Sequence, residues 1–324
     1  MNVRRQISTA AMAGASVLAL LALSACSTAG DGRTADGKLQ VTASFYPMQF
    51  LAEQIGGQHV EVSNLTKAGV EPHDLELTAK QTGQLQESGA IVYLKGLQPA
   101  VDAAIEQSGA KNVADAASLT RLEEHGNEVD GHHHTTGGNH TGHSGEDEEG
   151  GNDPHIWLDP VKFAEVAKGV GKTLAKADPG HKAAYQKNTD ALVKKLNGLN
   201  KDFEDGLKNK GSGTFITTHA AFGYLAERYG LTEEAISGLD PEAGEPPAHR
   251  IRELHTLAAK HHVSTVFSET IANPAAAKVL AGDLHLKTDV LDPLEGITDT
   301  SRGKDYFGVM RANLAALQKA LGSK

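Results

Sequence analysis

From His181 to Leu207 the sequence runs 27 residues without a proline, and Tyr185, Leu192, Leu196, Leu199, Phe203 and Leu207 recur at helical spacing. A helix of that length extends about 40 Å, longer than one small lobe needs, so it is suited to run along two lobes and join them. On either side the same kind of pattern appears. Before it, strand-like runs at Leu39–Phe45, Val60–Leu65 and Ala90–Leu94 alternate with helical runs at Pro47–Ile55, Thr78–Glu87 and Pro99–Gln107. A further helix is expected over Pro160–Ala175. After it, strands are expected at Thr214–Thr218, Ser264–Ser268 and Lys287–Leu291, and helices at Ala220–Tyr229, Ala248–Lys260, Pro274–Leu280 and Tyr306–Leu321. Alternation of this kind predicts mostly parallel α/β sheets, whose ligand sites lie beyond the C-terminal ends of the strands. The halves are alike in type, yet no sequence repeat relates them.

The start of the chain carries a targeting signal. Arg4 and Arg5 precede an apolar run from Ala10 to Leu23, the length of a signal-peptide core and short for a bilayer span. The run ends in Leu23-Ser24-Ala25-Cys26, which resembles a bacterial lipobox, and Cys26 is the only cysteine of the 324 residues. Lipidation of Cys26 is expected; the competing reading is an ordinary secretory signal cut near Ala25. Ser27 to Lys38 then reads as a flexible tether. The division expected is a signal peptide over 1–25, a tether over 26–38, a first lobe over 39–179, a linking helix over 180–208 and a second lobe over 209–324. The formal charge of −10 becomes more negative once the two arginines of the leader are gone, which disfavours a nucleic-acid partner.

Histidine is the residue most unevenly spread. Six of the 16 (His125, His132, His133, His134, His140 and His143) crowd into 19 residues of a segment, 125–151, rich in Gly, Asn and acid. Such a composition builds no core and reads as a loop with auxiliary, weak affinity for metal. Three others stand where turns or strand ends present them: His73 in Glu71-Pro72-His73-Asp74, His155 in Asp153-Pro154-His155, and His219 in Thr217-Thr218-His219-Ala220. Three imidazoles suit zinc, which takes nitrogen ligands in near-tetrahedral geometry. His249, His255, His261 and His262 lie on or at the end of one expected helix and read as ordinary helix histidines; Glu269 reads first as a polar strand-end residue, the alternative being a partner that supports a metal ligand from behind. Lys168, Lys172, Lys194, Lys195 and Lys201 read as solvated helix faces.

With the lipobox, these segments resemble in order and spacing the zinc-type metal-binding solute-binding lipoproteins of bacterial ABC importers (the ZnuA/AdcA-like, cluster A-I group). The matching pieces are Ser44-Phe45-Tyr46-Pro47, Glu71-Pro72-His73-Asp74, the histidine-rich loop, Asp153 to Pro160, Thr218 to Tyr224, Gly238 to Ala243, and Leu291 to Gly296. The resemblance implies two α/β lobes bridged by one long rigid helix, with the metal held between the lobes. It implies His73, His155 and His219 as ligands, and zinc rather than manganese, because manganese-type relatives place a carboxylate where His219 stands. For the fourth position it leaves a carboxylate or water, with Glu295, Asp292 and Glu71 as the candidate carboxylates, ranked in that order. It also implies a monomeric, non-enzymatic protein at the outer face of the membrane that passes zinc to an ABC permease with its ATPase. A disulfide found in the second lobe of some zinc-type relatives has no cysteines here. The competing readings are a zinc-dependent hydrolase, against which stands the lack of a His-Glu-x-x-His motif, and a histidine-rich surface metal buffer or adhesin.

Overall fold

The computed structural model describes residues 32–126, 152–242 and 246–323. Cys26 and five of the clustered histidines (His132, His133, His134, His140 and His143) lie outside the described residues.

In chain order the first half gives β1 (Leu39–Ala43), α1 (Tyr46–Gly56), β2 (Val60–Asn64), α2 (Ala79–Glu87), β3 (Ala90–Tyr93), α3 (Pro99–Ser108), β4 (Val113–Asp115) and α4 (Pro160–Ala177). The long helix α5 covers Lys182–Gly206. The second half gives β5 (Thr214–His219), α6 (Gly223–Tyr229), β6 (Thr232–Ser237), α7 (Ala248–Lys260), β7 (Thr265–Ser268), α8 (Ala275–Asp283), β8 (Lys287–Val290) and α9 (Tyr306–Leu321). The sheets run β2-β1-β3-β4 and β6-β5-β7-β8, and every pairing within them is parallel. The two lobes therefore share one strand order that their sequences do not betray.

Two strands escape a reading of the sequence. β4 has only three residues, too few to show alternation. β6, Thr-Glu-Glu-Ala-Ile-Ser, carries two acids in an edge position, and both are satisfied locally: Glu233 accepts from Thr217 Oγ1 and the Phe222 amide, and Glu234 from the buried Arg250. The helix expected from Ala220 begins only at Gly223, because the Ala220 amide is drawn sideways to the Gly238 carbonyl.

The linking helix buries Tyr185, Thr189, Leu192, Leu196, Leu199 and Phe203, a stripe spaced three and four residues apart. It lies against α4 closely enough that a methyl on Gly171 would sit 2.2 Å from Thr189 Oγ1. The same helix touches α1 of the first lobe and α9 of the second, so one continuous apolar core runs through both lobes from Leu39 to Leu321. Smaller clusters fill the outer faces, around Leu85, Ile91 and Val101 in the first lobe and Ile216, Leu254 and Val266 in the second. Across the seam, Phe50 stacks on Tyr306 with ring centroids 5.2 Å apart, and the Trp157 indole donates to the Pro293 carbonyl at 2.6 Å. Among the described residues, no helix is long and apolar enough to cross a membrane.

Candidate metal centre

Each lobe sends two side chains into the seam from loops or strand ends on its parallel sheet. His73 lies in the loop between β2 and α2, where its amide donates to Glu71 Oε1 at 3.1 Å. His155 precedes a single 3-10 turn, Ile156–Leu158, that leads into α4. His219 is the last residue of β5, and Glu295 follows β8 after the turn Asp292-Pro293-Leu294. That turn is fixed unusually firmly. Leu294 holds a left-handed φ of 60°, a costly conformation for a branched side chain. It is kept there by Asp292 Oδ1, which accepts the Leu294 amide at 2.8 Å, and by the Trp157 bond to Pro293.

The four side chains meet. Their ligand-capable atoms all lie within 4.8 Å of one another. Glu295 Oε1 is 3.3 Å from His73 Nε2, 3.3 Å from His155 Nε2 and 3.4 Å from His219 Nε2. His155, His219 and Glu295 are buried, while His73 keeps a 9 % exposed side chain on the open side. The Nε2 atoms of His155 and His219 have no hydrogen-bond partner although both are buried. Two buried nitrogens without partners are expensive in a folded protein and call for an explanation.

The other face of each buried ring is fully used. His155 Nδ1 donates to Asp153 Oδ1 at 2.8 Å, and His219 Nδ1 donates to Glu269 Oε1 at 2.7 Å. Both carboxylates leave the Nε2 lone pairs turned inward and raise ring basicity. The charges follow. Burial opposes a charged His155, but Asp153 and Glu295 outweigh it and raise its pKa to about 9. His219 is pushed well above the usual imidazole range because Glu269 and Glu295 overcome the same penalty. Burial would raise Glu295, yet the three imidazoles hold it well below the ordinary carboxylate range. Glu71 is raised to about 8, first by burial and then by the charge of Glu295.

Of the three carboxylates considered for the fourth position, only Glu295 reaches all three imidazoles. Asp292 spends Oδ1 on the Leu294 amide and Oδ2 on Thr270 Oγ1. Glu71 Oε1 stands 4.0 Å from His73 Nε2 and accepts the His73 amide. Of the two readings of Glu269, the bonds to both His219 and Thr218 fit the supporting partner rather than the plain strand-end residue. Asp153 had no assigned role beyond its place in the Asp-Pro-His segment. The position of Glu269 at the end of a strand is the signal that marks it, and the pairing of that strand with the one bearing His219 gives it its partner. His249, His255, His261 and His262 join no such group among the described residues.

Comparison with known proteins places the fold among zinc-uptake proteins. Zinc-binding lipoprotein AdcA of Streptococcus pneumoniae is 34% identical over 315 residues, which cover 93% of this chain, and the chain spans 59% of that relative's length. The high-affinity zinc uptake system protein ZnuA of Bacillus subtilis is 33% identical over 310 residues, covering 93% of this chain and 94% of its own. Among solved structures, the Zn(II)-bound ZnuA-like domain of Streptococcus pneumoniae AdcA superposes with a TM-score of 0.71 at 33% identity, covering 88% of this chain and 99% of that domain. The model of the family described as zinc-uptake complex component A, periplasmic, matches residues 41–320, and the chain belongs to that family.

Proposed function

We propose that this protein captures a zinc ion outside the cytoplasmic membrane and hands it to an ABC permease driven by its ATPase, with His73, His155, His219 and Glu295 as the four ligands. One observation carries the reading. A tetrahedral zinc with ligands at about 2.0–2.1 Å sets its ligand atoms roughly 3.3–3.4 Å apart. The three distances from Glu295 Oε1 to the imidazole nitrogens are 3.3, 3.3 and 3.4 Å. An ion at the centre would give the unpartnered Nε2 atoms of His155 and His219 their missing partner. Three nitrogens and one oxygen favour zinc over manganese, a harder ion that prefers oxygen.

Four protein ligands close the coordination sphere. A hydrolytic zinc keeps a position open for water, so the arrangement supports binding and release without chemistry on the ion. The lipobox-like Leu23 to Cys26 supports a lipid anchor on Cys26 that keeps the monomer at the outer face of the membrane, near its permease. The loop histidines His125, His132, His133, His134, His140 and His143 add weak recruitment.

Metal content and chelator-competition titrations of wild type, His73→Ala, His155→Ala, His219→Ala and Glu295→Gln test the ligand set. Each substitution should lower the affinity of one tight zinc by more than the roughly 10- to 100-fold that loss of an outer-shell partner costs. Asp292→Asn should weaken binding less than Glu295→Gln, and Glu71→Gln least. Affinity within a few-fold of wild type for a folded variant removes that residue from the set.

A further inference from the structure

A second cluster with metal-ligating chemistry stands at the root of the histidine-rich segment. Glu123, His125 and Glu227 bring one ligand-capable atom each to within 4.8 Å of one another. His125 Nε2 lies 3.1 Å from Glu227 Oε2, and its Nδ1 donates to Asp153 Oδ2 at 2.9 Å. Asp153 is wholly buried and its other oxygen receives His155 Nδ1 at 2.8 Å. One carboxylate therefore orients two imidazoles, each turning Nε2 away from it, one into the main centre and one towards Glu123 and Glu227.

The surroundings hold His125 in that pose. Its ring stands edge-on to Tyr224 with centroids 4.6 Å apart. A Cβ on Gly223 would lie 2.4 Å from His125 Cβ, so the absence of a side chain there is what admits the histidine. Beside it opens a cavity of about 440 Å³ lined by Glu123, His125, Glu227 and Glu233. Glu227 is 60 % exposed, so an ion has access from solvent. Lys162 Nζ, 2.9 Å from Glu123 Oε1, competes for one carboxylate and weakens the cluster relative to the main centre.

We infer that Glu123, His125 and Glu227 form a second, weaker, solvent-open site for a zinc-sized divalent cation, linked to the main centre through Asp153. An ion on His125 Nε2 makes the opposite N–H a stronger donor to Asp153. Asp153 then accepts less strongly from His155, whose Nε2 becomes a poorer donor to the main ion. Filling the second site thus loosens the first. The linkage rests on His155 being a ligand of the main centre; the second site itself does not.

Zinc titration of the full chain, read as the number of bound equivalents in each affinity class, tests the site. Glu227→Gln and His125→Ala should each lose one weak equivalent relative to wild type. Glu227→Gln alters no loop histidine, so its loss places the weak ion on this cluster. An undiminished weak class in Glu227→Gln overturns the second site, whereas a missing tight class in wild type overturns the proposed function instead. Chelator-driven release of the tight zinc, followed with the weak class filled and empty, tests the linkage. Filling should speed release in wild type by less than the roughly 10- to 100-fold effect of losing an outer-shell partner, and should not do so in Glu227→Gln. Equal release rates in the two wild-type conditions overturn the linkage.

Discussion

Glu269 contributes to the metal centre without touching its middle. It accepts the Nδ1–H of His219 at 2.7 Å and also bonds Thr218, so it fixes both the tautomer and the tilt of a fully buried ring. Glu269→Gln keeps the shape but removes the charge, and zinc affinity should fall about 10- to 100-fold while the thermal transition stays cooperative. Competition against a chelator of known affinity measures this; a change under threefold would make Glu269 a bystander. Residues of this kind are hard to read in a sequence. His73, His155 and His219 declare themselves by neighbouring prolines or strand ends, all local signals. The bond between Glu269 and His219 spans 50 residues and exists only because β7 pairs with β5, a fact of sheet order. The same holds for Asp153, whose link to His155 is local but whose link to His125 spans 28 residues.

At the level of elements, the joint between α4 and α5 is an electrostatic knot. Asp178 ends α4 and receives Arg33 at 2.8 Å, the Tyr185 hydroxyl at 2.7 Å and His181 Nδ1 at 2.6 Å. Burial would raise this carboxyl, but the three donors together hold it down to about 2. A carboxylate whose pKa is lower folded than unfolded stabilises the fold above the unfolded value near 4, and that contribution fades as pH falls towards 2. Urea unfolding should therefore show wild type more stable than Asp178→Asn by about 1–2 kcal/mol at pH 5, with part of the Coulomb attraction to the half-exposed Arg33 screened by solvent. The gap should shrink at pH 2.5, and an equal gap at both values would show that Asp178 acts by shape alone. The helices on either side of this joint were legible because their apolar stripes run for several turns. β4 and β6 were not: one is too short for a pattern, and the other hides its acids in pairings with Thr217 and Arg250 that only the folded lobe provides.

Over the whole molecule, polar bonds join the two lobes across the seam inside the apolar core. Trp157 gives its indole N–H to Pro293, and its own carbonyl receives the Tyr306 hydroxyl at 2.6 Å. Asp159 caps α4 and takes Arg228 of the second lobe through two nitrogens. Trp157→Phe removes one donor and leaves the Pro293 carbonyl buried and unpaired, which costs about 1–3 kcal/mol on top of the lost ring volume. Denaturant titration of the metal-free protein should show that loss; stability within 0.5 kcal/mol of wild type, roughly the scatter of surface changes, would mean the seam is held by packing alone. The division of donors between the lobes has a further outcome in time. On the proposed ligand set, His73 and Glu295 stand 222 positions apart, and the other two donors lie between them. A growing polypeptide, or one threaded unfolded through a membrane pore, has no four-fold cage until residue 295 has passed and both halves have folded around α5. On that ligand set the tight site does not exist before the chain has folded, so it first fills from the zinc pool on whichever side folding takes place.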